Sequence, residues 1–182
     1  IMTKIVNLFS GPYTGKSWVA GGLFWELKRR HKRVDAPYEF PKVLAWDKNE
    51  HAIKDQFFVI GNQHRGIARS WGSVDYIIMD SPLLLALIYK DMYSDNTEYP
   101  TSFYGKEFDA FIISLHKKYD NLNIFLERDE SKFEESGRYQ NLEQSKIIDE
   151  NIKEMLHSLN IEYHRTPTDG AISLILHLIG VP

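Results

Sequence analysis

Residues 4–17 read K-I-V-N-L-F-S-G-P-Y-T-G-K-S: an apolar run, Ile5, Val6, Leu8 and Phe9, that stops abruptly at Ser10. Gly11, Pro12, Tyr13, Thr14, Gly15, Lys16 and Ser17 follow, and a helix-like segment begins straight after them. Strand, glycine-bearing turn and helix in this order form the setting in which a phosphate-loop pattern has meaning. Backbone N–H groups of such a turn and of the helix start converge on one spot and favour an anion there. Lys16 adds a mobile positive charge for the β- and γ-phosphates, and Ser17 offers a hydroxyl to Mg²⁺. The pattern asks for glycine where this chain has Ser10, and for small residues where it has Tyr13. A small polar residue still closes a turn.

The chain has 182 residues, enough for one domain with a core. With 43% hydrophobic and 13% aromatic residues it is not composed like a disordered protein. It has no cysteine, hence no disulfide frame and no thiolate metal site, which suits a reducing cytosol. No apolar run of about 18 residues is present, so no membrane span is expected. No secretory signal precedes the first strand, and a cytoplasmic location is expected. The net charge of −3 speaks mildly against a general nucleic-acid binder.

Working outward, residues 16–30 read as the first helix, ending in a basic cluster that suits a helix C-terminus. Residues 33–38 read as a short second strand delivering Glu39, with Pro37 and Pro41 barring a helix there. In an open parallel sheet, ligands sit beyond the carboxyl ends of the strands, so Glu39 is expected in the crevice with Lys16. Residues 49–71 read as one amphipathic helix with Ile53, Phe57, Ile60, Ile67 and Trp71 on its stripe. His64 on that stripe is expected to be a buried, hydrogen-bonded core histidine. Gln56 and Gln63 present amides to a base-like ring edge or form a solvated face. Arg65 and Arg69 are available to an anion or to nearby acids.

Residues 74–79, V-D-Y-I-I-M, read as a buried parallel strand ending at Asp80, where a carboxylate can hold the Mg²⁺ shell or cap a helix. A buried helix is expected over 83–89, an irregular loop over 90–103, a helix over 105–118 and a fourth strand over 121–126. The charged segment 127–140, E-R-D-E-S-K-F-E-E-S-G-R-Y-Q, carries Arg128, Lys132 and Arg138. Cations that close over a γ-phosphate stabilise the transferring group, and Gly137-Arg138 fits that task best. A helix over 141–159, a strand over 161–164, a loop with Thr166 beside the adenine and a helix over 171–179 complete the chain.

Taken together, F-S-G-P-Y-T-G-K-S, Y-E-F-P-K, I-I-M-D-S-P-L-L-L and G-R-Y-Q before an acidic helix resemble the P-loop small-molecule kinases. The resemblance is to phage-type AAA-domain proteins related to the nicotinamide-riboside kinase domain of NadR. It implies an α/β three-layer sandwich: a five-stranded parallel sheet of order 2-3-1-4-5, helices on both faces, and a flexible lid at about residues 127–140. It implies one domain over 1–182, with ATP and Mg²⁺. The implied catalytic residues are Lys16, Glu39, Asp80 and Arg138. ATP would meet Gly11, Pro12, Tyr13, Thr14, Gly15, Lys16, Ser17, Arg128 and Thr166, and Mg²⁺ would meet Ser17 and Asp80. The acceptor would meet Glu39, Gln56, Gln63 and Arg65. Since nucleoside kinases place a glutamate after strand two, a hydroxyl acceptor is favoured over a nucleoside monophosphate, a group in DNA, or a regulatory ATPase without an acceptor. A homodimer stays open.

Overall fold

In the computed structural model, residues 2–37, 39–92, 104–129 and 141–182 are described. Five strands, β1 (Lys4–Phe9), β2 (Val34–Asp35), β3 (Tyr76–Met79), β4 (Asp120–Glu127) and β5 (His164–Pro167), form one all-parallel sheet of order β2-β3-β1-β4-β5. This is the expected order. β1 lies at the centre because it is apolar on both faces. Ile5 and Phe9 enter the core on one side; Val6 and Leu8 enter the core on the other.

The second face is covered by α1 (Lys16–Arg29) and α8 (Thr168–Leu178), through Val19, Leu23, Leu27, Ala171 and Ile175. The first face is covered by α4 (Gln56–Ser70), α5 (Ala86–Met92), α6 (Lys106–Lys117) and α7 (Leu142–Ser158). A 3-10 turn, Leu83–Leu85, leads into α5. No helix among the described residues is long and apolar enough to cross a membrane.

Several local expectations change. The second strand is only two residues long, and Glu39 heads a helix, α2 (Phe40–Trp46), where none is expected. Pro41 lies in the first turn of α2, where a missing N–H removes no intrahelical bond, so it starts the helix instead of breaking it. The segment 49–71 is two helices, α3 (Glu50–Lys54) and α4, because Asp55 turns extended and accepts the N–H of Phe58 as the cap of α4. The Tyr104 hydroxyl bridges the break, accepting from the Gln56 N–H at 2.9 Å and donating to the Lys54 carbonyl at 3.1 Å. Residues 166–169 are the end of β5 and the first turn of α8, not a loop.

His64 is hydrogen-bonded, as expected, with Nε2 2.7 Å from the Tyr119 hydroxyl, but it is half-buried where a fully buried ring is expected. The basic end of α1 is also bland: Arg29 and Arg30 pair with Glu26, and Arg33 with Asp75.

Candidate active site

The turn after β1 is shaped by left-handed backbone at Tyr13 (φ 68°) and at Gly15 (φ 95°). Alternation of this kind turns successive N–H groups inward as an anion nest. Gly15 then caps α1 without any side-chain hydrogen bond, so the first N–H groups of this 14-residue helix face the turn unclaimed by a side chain. Tyr13, a bulky residue at positive φ, sits in a conformation glycine would take at no steric cost.

Lys16 folds back over the turn. Its Nζ donates to the carbonyls of Ser10 and Gly11, both at 2.8 Å, with the Ser10 hydroxyl at 3.4 Å. Burial pushes its pKa down from the ordinary lysine value. The carboxylates of Glu39, Asp80 and Asp149, in falling order, push it up, and Arg128 pushes it down. Four groups from separate parts of the chain therefore act on one ammonium.

Each reaches it by its own element. Glu39 comes from the start of α2, where its carbonyl accepts the N–H groups of Lys42 and Val43. Asp80 follows β3, next to β1 in the sheet, and its Oδ2 accepts from the Ser17 hydroxyl at 3.2 Å. Burial raises the Asp80 carboxyl above the usual range; Lys16, then the Ser17 hydroxyl and Lys42, oppose this. α4 braces both acids. Gln63 Nε2 donates to the Ser81 hydroxyl at 2.8 Å and to its carbonyl at 3.2 Å, beside Asp80. Gly66 lets α4 approach the segment before Glu39 so closely that a Cβ there would sit 2.8 Å from Pro37 Cβ.

The C-terminal third closes the other flank. The Thr168 hydroxyl donates to the Thr14 carbonyl at 2.8 Å, and the Thr14 hydroxyl donates to the Gly11 carbonyl at 3.2 Å. Asp149, on α7, accepts the Gly11 N–H at 2.5 Å through Oδ1 and Arg128 Nε at 2.8 Å through Oδ2.

The structure thus brings Lys16, Ser17, Glu39, Asp80 and Arg128 together around the turn formed by Gly11, Pro12, Tyr13, Thr14 and Gly15. Arg138 and Lys132 lie outside the described residues. Gln56 and Gln63 are buried, not solvated. The Gln56 amide holds the Ile53 carbonyl, and Gln63 holds Ser81. Arg65 is exposed on α4, and Arg69 pairs with Asp35 at 3.2 Å. Thr166 is buried, with its hydroxyl on the neighbouring Pro167 carbonyl, while the hydroxyl that reaches the turn is that of Thr168. Sequence reasoning missed Thr168 and Asp149. For Asp149 a signal existed: an acid on the same stripe as Ile148, Ile152 and Leu156.

Solved structures share this fold over nearly the whole chain. The NadR protein in complex with NR matches with a TM-score of 0.75 at 12% identity, over 100% of this chain and 53% of that one. Deoxyadenosine kinase from M. mycoides with bound dATP matches at 0.58 and 16% identity, over 98% of this chain and 100% of the other. The YorR protein from Bacillus subtilis in complex with phosphorylated GDP matches at 0.61 and 15% identity, over 97% and 96%.

This is the P-loop kinase fold.

The chain spans about half the length of the NadR structure and nearly all of the other two. No family model and no curated protein matches the sequence. At these identities the likeness carries the P-loop kinase architecture and not the acceptor.

Proposed function

We propose that this chain is an ATP-dependent kinase that phosphorylates a hydroxyl of a nucleoside-like acceptor. One observation carries the choice. Glu39 stands at the start of α2, beyond the carboxyl end of β2, and its carboxylate acts on the Lys16 ammonium together with those of Asp80 and Asp149. It supports a carboxylate at the acceptor end of the phosphate site. A phosphate acceptor is already ionised and needs no base; a hydroxyl benefits from one.

The triphosphate lies over the N–H groups of the turn and of the start of α1, with Lys16 on the β- and γ-phosphates. The Glu39 carboxylate takes the acceptor proton as the acceptor oxygen bonds to the γ-phosphorus. The bond from that phosphorus to the β–γ bridging oxygen breaks, and ADP leaves with the electron pair. Arg128 and, from outside the described residues, Arg138 steady the equatorial oxygens. The donor set fits Mg²⁺: a hydroxyl oxygen and a carboxylate oxygen 3.2 Å apart, close to the ~3 Å separating adjacent oxygens around an ion with ~2.1 Å bonds. Ser17 and Asp80 would hold Mg²⁺, which supplies charge neutralisation between the phosphates. α2 and α4 offer the acceptor aromatic rings, with Phe58 edge-on to Phe40 at 5.3 Å.

The test is ADP release across a panel of nucleosides, nicotinamide riboside, nucleoside monophosphates and labelled DNA. A nucleoside or riboside should stimulate turnover, and Glu39→Gln should cut it ~10²- to 10⁴-fold with ATP affinity retained. An undiminished Glu39→Gln rate removes the base. Stimulation by monophosphates alone assigns a phosphate acceptor, and no stimulation by any member leaves an ATPase.

A further inference from the structure

Arg128 directly follows β4 and is almost wholly enclosed, its side chain 6% exposed. Of the five N–H bonds of its guanidinium, only Nε–H has a partner among the described residues, Asp149. Nη1 and Nη2 are buried and find no hydrogen-bond acceptor among the described residues. A desolvated cation with its two terminal nitrogens unsatisfied is costly unless something else completes it. The position of these nitrogens says where that partner sits. Nη2 lies 3.2 Å from where a Cβ on Gly11 would be, against the phosphate loop, and Arg128 is close enough to Lys16 to lower its pKa.

Asp149 sets this geometry. Its two oxygens are divided between the loop and the arginine, Oδ1 on the Gly11 N–H and Oδ2 on Arg128 Nε. It is itself buried, its side chain 11% exposed, one helical turn from the buried Ser145. An arginine held at Nε by one carboxylate keeps its planar Nη1/Nη2 edge pointing away from that carboxylate, and this edge matches two oxygens of a phosphoryl group.

We propose that Asp149 is a positioning residue: it locks Arg128 to the phosphate loop so that Nη1 and Nη2 are presented, ready aligned, to oxygens of the bound polyphosphate. This inference rests on the kinase reading only in taking the loop as a polyphosphate site; it needs no acceptor and no transfer. It makes α7, through Asp149, part of the nucleotide site.

The sign of one substitution separates this role from a bystander's. Asp149 is a negative charge beside an anion site. Were repulsion its only effect, Asp149→Asn would tighten polyphosphate binding. As the group that aligns Arg128, it must weaken it.

Titration calorimetry with inorganic tripolyphosphate, and separately with MgATP, measures this on the intact chain. Asp149→Asn and Arg128→Lys should each weaken tripolyphosphate binding about 10- to 100-fold, the range for a lost charge-assisted bond. The double variant should be no weaker than Arg128→Lys alone, because the aspartate acts through the arginine. Unchanged or tighter binding by Asp149→Asn, or additive losses in the double variant, overturns the proposal. If Asp149→Asn fails to fold, Arg128→Lys decides alone: wild-type affinity overturns the proposal, and the stated loss supports it. Lys16→Ala isolates the underlying reading. If it abolishes binding while Asp149→Asn does not weaken it, only the positioning role fails; if Lys16→Ala binds as wild type, the polyphosphate site itself fails.

Discussion

Gly11→Ala adds one methyl group at the point where the phosphate loop meets α7. That Cβ would lie 2.7 Å from the Ser145 carbonyl oxygen, 3.0 Å from Asp149 Oδ1 and 3.2 Å from Arg128 Nη2. The nearest of these is backbone inside a helix, so it cannot swing aside; α7 and the loop must move apart by several tenths of an ångström. The backbone at Gly11 is not left-handed, so the penalty is steric and not conformational. Overpacking of this kind costs ~1–3 kcal/mol. Separating the pair also stretches the Gly11 N–H bond to a carboxylate, worth ~1.5–3 kcal/mol if lost. The expected destabilisation is ~2–5 kcal/mol, or ~4–20 °C in Tm at the ~2–4 °C per kcal/mol typical of this size. Gly21→Ala is the matched control. It lies on α1 with nothing within 4 Å of its Cβ, so alanine should stabilise by ~0.5–1 kcal/mol through helix propensity. Urea unfolding followed by circular dichroism reads both. A Gly11→Ala variant within about 0.5 kcal/mol of wild type, the ordinary scatter of a harmless change, would refute the close approach of α7 to the loop.

Gly66→Ala should cut phosphoryl transfer more than ATP binding, because a Cβ 2.8 Å from the Pro37 ring displaces the segment leading to Glu39 and not the phosphate loop; steady-state kinetics beside calorimetry with ATP separates the two. His116 is buried and neutral, its pKa pushed down to about 4, chiefly by desolvation. The unfolded chain therefore takes up its proton first, and stability present above about pH 6.5 is lost as pH falls toward 4, by ~3 kcal/mol. His116→Gln should unfold with that much less pH dependence between pH 7 and 4, and identical slopes would count against a buried neutral imidazole. Asp80→Asn should raise the Mg²⁺ concentration needed for half-maximal turnover by tenfold or more, since a half-buried carboxylate beside Ser17 is replaced by a neutral oxygen; an unchanged requirement places the ion elsewhere.

Sequence and structure agree best where local physics and tertiary need coincide. The apolar run 5–9, the turn and the helix after it announce β1, the phosphate loop and α1 because each is favoured locally as well as globally. The order of the sheet came through the family resemblance. Agreement fails where one residue has two lawful uses. Pro41 can end a helix or begin one, and only the close packing of Phe40 on Phe58 shows which. Asp55 looks like one polar residue in a long periodic pattern, yet its side chain caps a new helix. Gln63 lies on α4 near Asp80, but its amide serves Ser81, a partner 18 residues away that no spacing rule picks out. Arg128 was legible as a cation after a strand; its aspartate left a trace only as an acid on the buried stripe of α7, and the pairing across 21 residues follows no spacing rule.

The two bonds that fasten the shoulders of the phosphate loop span 138 and 154 residues, from Gly11 to Asp149 and from Thr14 to Thr168. Such separations mean high contact order and late closure. On the ribosome the loop emerges well before α7 and α8, so it acquires both fastenings only after those later segments have been made. Until both later segments have emerged, the loop of a nascent chain lacks the two bonds that hold its shoulders in place.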